Sequence, residues 1–413
     1  MALKIIPSSD RRAIDRLLTP ASRDDRGFDR RVEAIVDAVR KGGDRALVRF
    51  ARRFDKVSAP IEVTLDEMRA GAARVSSPVR RAIAQAARHI ARVAARQIPK
   101  HFDVDVVPGV TVEQRIEPLA RVGCYVPGGR FPLPSSLLMT AIPARVAGVR
   151  EVFVCCPRPD PAVMAAALEA RVTRLFRVGG AHAIAALAYG TPTIPRVDKI
   201  VGPGNRFVAA AKALVSRDCA IDFHAGPTEI VIVAGEGRPE WIAADLAAQA
   251  EHDPDARAIL VTWNRALAAR VAKQLATAAS LRPIVRQALT ANGAVILARD
   301  ASEAMAIANR FAPEHLVLET DALANRPIVA GAVFIGPYTA QAAGDYATGS
   351  NHVLPTAGAA RYRGGLSAAD FVRVMSVQRL TRAGLARIAP AIVALARAEG
   401  LDAHAESIEV RLK

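Results

Sequence analysis

The chain has 413 residues, more than one ordinary hydrophobic core accommodates, and fits two or three domains. Half of its residues are apolar, yet no stretch approaches the roughly 18 uninterrupted apolar positions of a spanning helix, which argues against a membrane span. The net charge of +16 comes mostly from arginines scattered through alanine-rich helices. There is no basic tail and no interleaved aromatic pattern, so specific nucleic-acid recognition is not expected, although a basic face attracts anions generally. The N-terminus, Met1 to Asp10, lacks an apolar signal core, and a cytoplasmic protein is the expectation. Cys124, Cys155, Cys156 and Cys219 form no C-x-x-C pair and read as buried free thiols.

Beyond an N-terminal segment (1–27), residues 28–100 read as helices: Phe28 to Arg40, a Gly42-Gly43 break, Asp44 to Phe54, and a basic helix from Val79 to Lys100. In the last, Val79, Ile83, Ala86, Ile90 and Val93 form one buried stripe beneath Arg80, Arg81, Arg88, Arg92 and Arg96. Val104 to Val107 and Val110 to Val112 predict a hairpin. From residue 121 the pattern becomes strand, glycine turn and helix. Strands are expected at Val122–Val126, Glu151–Cys156, Arg174–Val178, Lys199–Val201 and Glu229–Val233. A second run gives a helix through Gln249, then strands at Ala258–Thr262, Ala294–Leu297, Leu316–Leu318 and Ala332–Ile335, with helices between them. This alternation predicts an α/β protein with mostly parallel sheets flanked by helices. The expected division is one unit from 28–120 with 235–365, a second from 121–234, and a tail from 366. The tail is read as helices (Ala368–Ser376, Gly384–Glu399) and a strand (Ser407–Leu412); too small for its own core, it must dock elsewhere, a partner subunit included.

Three glycine turns follow strands: Pro127-Gly128-Gly129, Gly179-Gly180 and Gly202-Pro203-Gly204-Asn205. Such turns admit a phosphate close to backbone, but none is the dinucleotide fingerprint, since Phe207 occupies the third glycine position. They point to a phosphate-bearing ligand or to ordinary tight turns. Gln249 and His252 share a helix face, and Asp345 and His352 bracket a glycine-containing loop. Such nitrogen and oxygen donors suit zinc; as alternatives, His252 simply ends a helix and His352 bonds within its loop. Glu314 and His315, adjacent before an apolar strand, carry a carboxylate able to orient water and an imidazole able to take a proton. A solvent-facing pair at a strand start is the bland alternative.

Together, several ordered stretches resemble the histidinol dehydrogenase family from about residue 28 to the C-terminus. They are Gly-Cys-Tyr-Val-Pro-Gly-Gly129, Pro-Leu-Pro-Ser-Ser136, Ala-Ile-Ala-Ala-Leu-Ala-Tyr-Gly-Thr191, Val-Asp-Lys-Ile-Val-Gly-Pro-Gly-Asn205 and Ala-Gly-Pro-Thr-Glu229. Gln-Ala-Glu-His252, Ala-Pro-Glu-His-Leu316 and Gly-Asp-Tyr-Ala-Thr-Gly-Ser-Asn-His-Val-Leu-Pro-Thr356 complete the set. The resemblance implies a homodimer of two incomplete Rossmann-like domains that uses NAD and zinc to oxidise L-histidinol, through the aldehyde, to L-histidine. It implies zinc ligands at Gln249, His252, Asp345 and His404, the last from the partner subunit. It makes His352 and Glu399 substrate contacts, with Thr228 nearby where serine is usual. It places NAD at Tyr125, His182 and Asn205, and makes Glu314 the water-orienting acid and His315 the general base.

Two departures stand out. His182 occupies a position where the family has glutamine, and Gln341 one where it has a substrate-binding glutamate. The second removes a charge that would pair with the histidinol ammonium, which keeps open a dehydrogenase of another small primary alcohol. From a different class, a basic nucleotide-binding α/β module without chemistry is the remaining alternative.

Overall fold

The structure is a computed structural model that describes residues 3–18, 25–58, 60–128, 132–223 and 226–413. Among the described residues the strands form three sheets. The first has the order β2 (Glu62–Val63), β7 (Arg174–Phe176), β6 (Glu151–Cys155), β5 (Arg121–Tyr125), β8 (Lys199–Val201) and β9 (Ala220–Ile221). All neighbours are parallel except the short antiparallel pair of β2 with β7. The second sheet is wholly parallel, in the order β1 (Ile5–Pro7), β12 (Gly293–Leu297), β11 (Arg257–Thr262), β10 (Glu229–Val233), β13 (His315–Leu318) and β14 (Ala332–Ile335). Apart from the edge strands β2 and β1, which come from earlier in the chain, each sheet starts at a central strand, moves outward two strands, then returns to the other side. This is the Rossmann-type order 3-2-1-4-5, and each sheet lacks the sixth strand. The expected α/β class with two incomplete Rossmann-like units is the observed one.

The assignment of residues 28–100 is corrected. They do not pack on the second sheet; they cover both faces of the first. On one face, Val32, Val36, Val39 and Leu47 of the Arg26–Phe50 helix pack against the alanine-rich Gly180–Tyr189 helix, whose small side chains allow a close approach. On the other, Ile83, Ala87, Ile90 and Ala94 of the Ser77–Gln97 helix meet the Pro134–Val146 helix, which is buried nearly all round. The division at 234 moves as well, because all five buried residues of β10 sit at the centre of the second sheet between β11 and β13. Nor is the N-terminal segment separate: β1 closes an edge of that sheet and Ile14 enters its core, while residues 1–2 and 19–24 of the segment lie outside the described residues.

The hairpin forms as expected from β3 (Phe102–Val107) and β4 (Val110–Pro118), and β15 (Val372–Leu380) joins it along nine residue pairs. The expected helix Ala368–Ser376 is therefore only a short 3₁₀ turn, Ala368–Phe371, leading into β15. Its Val-Arg-Val and Ser-Val-Gln runs satisfy their backbone groups against β4 rather than within a helix. The expected strand Ser407–Leu412 is also replaced, by the Asp402–Glu409 helix. Gly400, at φ +74°, turns the chain between that helix and the preceding Arg382–Ala398 helix, and the two pack on each other. Phe102, Val104, Val106, Val374 and Leu395 stay exposed on this ribbon and tail.

The four cysteines are free and buried, as their apolar neighbours predict. Burial pushes the Cys124 and Cys156 thiols up to about 12 and Cys219 up to about 11, and Cys155 is raised too. Thiolate is the reactive form. The native protein is therefore expected to be inert to an aromatic disulfide reagent at pH 8 and to release four equivalents after denaturation. A fast native equivalent would contradict this packing.

Candidate active site

The parallel pairing of β10 with β13 sets their amino ends side by side, with Ile230 opposite His315. Thr228 and Glu229 at one strand start thus meet Glu314 and His315 at the other. The Glu314 carboxylate accepts the Thr228 hydroxyl at 2.5 Å and the Glu229 amide at 3.0 Å. The Thr228 hydroxyl oxygen accepts in turn from Gln249 Nε2, delivered by the last turn of the Pro239–Ala250 helix. Glu314 is buried, and desolvation pushes its carboxyl up to about 7 although both hydrogen bonds oppose this. A carboxyl at that value exchanges a proton readily near neutral pH.

His315 is 3% exposed. Its Nδ1 lies 3.3 Å from the Glu229 carbonyl oxygen, which can only accept, so Nδ1 carries the proton and Nε2 the lone pair. Nε2 has no hydrogen-bond partner among the described residues and stands 4.0 Å from Asp345 Oδ1. Burial holds the imidazole below its usual value, so it is neutral and able to take a proton. The pair is buried rather than solvent-facing.

The Gln341–Tyr346 helix brings Asp345 to this cluster. Its Oδ2 accepts Gln341 Nε2 at 2.8 Å and lies 3.9 Å from His252 Nε2. Its backbone carbonyl accepts His352 Nδ1 at 3.0 Å, leaving His352 Nε2 3.3 Å from the Ser136 hydroxyl. His352 therefore joins the cluster, and burial lowers its basicity as well. Gln341 is nearly fully buried, and its amide nitrogen serves Asp345; a glutamate there would set a second carboxylate against that oxygen.

Among the described residues no three His, Cys, Asp or Glu side chains already surround a point that would hold a cation. The donor set present is Gln249 Oε1, His252 and Asp345. Gln249 Oε1 is buried without a hydrogen-bond partner, and a neutral oxygen, an imidazole and a carboxylate are donors that suit zinc. Three ligands leave the set incomplete. Glu399 and His404 do not join it: they lie in the tail, exposed, at the end of one helix and within the next.

Tyr125, His182 and Asn205 sit apart from this cluster, at the carboxyl ends of β5, β7 and β8, where ligands of open α/β sheets collect. The Tyr125 hydroxyl accepts the Gly180 amide at 3.1 Å, and Asn205 Oδ1 caps the Arg206–Val215 helix. His182 is buried, its Nε2 2.8 Å from Asp55 Oδ2, and the same oxygen accepts the Gly179 amide at 3.0 Å. Phe50 and Phe54 flank its ring. Gly129 of the first turn lies outside the described residues.

Three participants were not singled out from the sequence. Ser136 and Glu229 stand inside quoted motifs without a role, and Asp55 had no signal at all. Desolvation, with the neighbouring Glu314, pushes the buried Glu229 carboxyl up to about 7 although Arg257 opposes this.

Comparison with known proteins identifies the family. The family model described as histidinol dehydrogenase matches residues 19–412. Histidinol dehydrogenase from Syntrophotalea carbinolica is 46% identical over 402 residues, covering 94% of this chain and 93% of that protein. The Gluconobacter oxydans protein of the same name is 45% identical over 413 residues, covering 96% of each. A crystal structure of histidinol dehydrogenase from Elizabethkingia anophelis superposes with a TM-score of 0.94 at 34% identity, covering 99% of this chain and 98% of that one. With its two Rossmann-type sheets and its buried Glu314–His315 pair, the chain belongs to the histidinol dehydrogenase family and is an NAD-dependent dehydrogenase.

Proposed function

We propose that this chain oxidises L-histidinol through L-histidinaldehyde to L-histidine, with zinc and NAD, in sites shared across a homodimer. The carrying observation is the His315 imidazole: buried, neutral, fixed through Nδ1, and with a free Nε2 beside Asp345. Zinc would be held by Gln249, His252, Asp345 and His404 of the partner subunit, and would orient the amino alcohol and stabilise charge on its oxygen. NAD would be held near Tyr125, His182 and Asn205 and would supply the hydride acceptor for both steps. His315 Nε2 takes the hydroxyl proton in the first step. Glu314, able to hold or release a proton near neutrality, orients the water that hydrates the aldehyde. His315 takes the hydrate proton in the second step. His352 and Thr228 line the substrate, Gln341 keeps Asp345 in place, and Glu399 of the partner subunit is a further substrate contact.

The ribbon and tail support the shared site, because they expose apolar side chains beside the missing ligand. A closed dimer through this region would cover Val104, Val374 and Leu395 and bring each tail to its neighbour. The absence of a spanning helix among the described residues is compatible with a cytoplasmic enzyme.

His315→Asn is expected to lower kcat for both half-reactions by about 10²–10⁴-fold with substrate binding retained. For Glu314→Gln, oxidation of supplied aldehyde should fall more than oxidation of the alcohol; equal losses would remove Glu314 from the water step. Product counting should give two NADH per histidinol, and a steady ratio of one would end the two-step scheme. A panel of small primary alcohols, run before and after chelation, tests whether Gln341 has changed the substrate.

The shared site has its own test. His404→Ala and His315→Ala proteins, each inactive, are mixed under conditions that exchange subunits. One site of the mixed dimer carries both defects and the other neither, so activity should reappear at one site per mixed dimer. Demonstrated exchange without activity would place His404 outside the partner's site.

A further inference from the structure

The Gly202 turn rests on a buried ion pair that the chemistry above does not use. Lys212, in the Arg206–Val215 helix, pairs with Asp222 just beyond β9, at side-chain exposures of 3% and 1%. The pair grips one peptide unit on each side of Gly202. Asp222 accepts the Gly202 amide at 2.7 Å, and Lys212 Nζ donates to the Gly202 carbonyl at 3.1 Å. Gly202 needs this support: its φ is +111°, and a Cβ there would run into the Tyr125 carbonyl oxygen. The turn is thus clamped from below and pressed against the end of β5, three residues before Asn205.

The same aspartate is also held through its backbone. Its carbonyl accepts Arg363, whose guanidinium lies 4.7 Å from the Phe223 ring centroid. Arg363 and Lys199 both approach Asp370. From Phe223 the chain runs within five residues to Thr228 at the Glu314 cluster. A well-packed apolar pair of similar volume generally stabilises a fold as well as a buried ion pair does, so retained charges here call for a positional explanation.

We propose that Lys212 and Asp222 are positioning residues that hold the Gly202–Asn205 turn for the nucleotide cofactor and so set its affinity, without touching it. This rests on the reading that NAD binds beside Tyr125 and Asn205. The test uses the intact dimer with NAD and L-histidinol, comparing Lys212→Met/Asp222→Asn with Asn205→Ala. The double variant should raise KM for NAD roughly tenfold or more and weaken NADH binding, read by fluorescence, in parallel. KM for histidinol, and kcat at saturating NAD, should stay within about twofold. A lower melting temperature with unchanged KM for NAD would make the pair merely structural and overturn the proposal. If Asn205→Ala leaves NAD affinity intact while the double variant weakens it, the clamp stands and the Asn205 contact falls. Should the double variant not fold, Lys212→Arg replaces it: the charge remains but the reach to both Gly202 and Asp222 changes. KM for NAD should then rise about threefold, and an unchanged value overturns the clamp.

Discussion

The hydrogen-bonded chain from Gln249 through Thr228 to Glu314 is the constraint on which the site depends. It joins the last turn of one helix to the starts of two parallel strands, and it ends on the backbone amide of Glu229. Because β10 and β13 are neighbours in register, this amide would otherwise be an unpaired donor at a buried sheet edge. Glu314 satisfies it, and the same strand start fixes His315 through the Glu229 carbonyl. The backbone of one residue, Glu229, therefore positions both members of the pair. Gln249 donates its amide nitrogen to Thr228, and its oxygen is buried without a partner.

The two sheets use opposite edges. The first collects its glycine turns at carboxyl ends, as open α/β sheets do, whereas the second presents Glu314 and His315 at amino ends. The contacts across show how the edges meet. Ser136, at the start of the helix after β5, reaches His352, and Asn351 bonds the Met139 carbonyl at 2.7 Å. Asp222 lies just beyond the last strand of the first sheet, and Glu229 begins the central strand of the second.

Much of this was legible in the sequence because strands buried on both faces read as apolar runs, and turns as glycine. Glu151–Cys155 and Glu229–Val233 are of this kind, and the Glu-His pair stands out because an apolar run follows it from Leu316. What was not legible is which sheet a helix joins. The stripe of Val32, Val36 and Val39 shows that a face is buried but not its partner; the partner, Gly180–Tyr189, lies far along the chain. The tail misled for a related reason. Val372–Leu380 has side chains that suit either state, and only pairing with β4 makes it a strand. Asp55 was invisible because its role arises from a contact 127 residues away, with His182.

The exchanged family positions gain a physical reading from their neighbours. His182 is not left in an apolar pocket, since Asp55 accepts from its ring and from the Gly179 amide together. The exchange therefore makes the glycine turn part of one hydrogen-bonded unit with the Ala51–Asp55 turn, rather than an isolated loop. Gln341 behaves in the same way at the other site. An amide there donates to Asp345 and leaves that carboxylate's second oxygen facing His315 and His352 at 4.0 and 3.9 Å. A carboxylate in its place would set a second negative charge against Asp345. The substitution thus concentrates the negative charge of this wall on Asp345, the one residue that both histidines and the His252 imidazole already face.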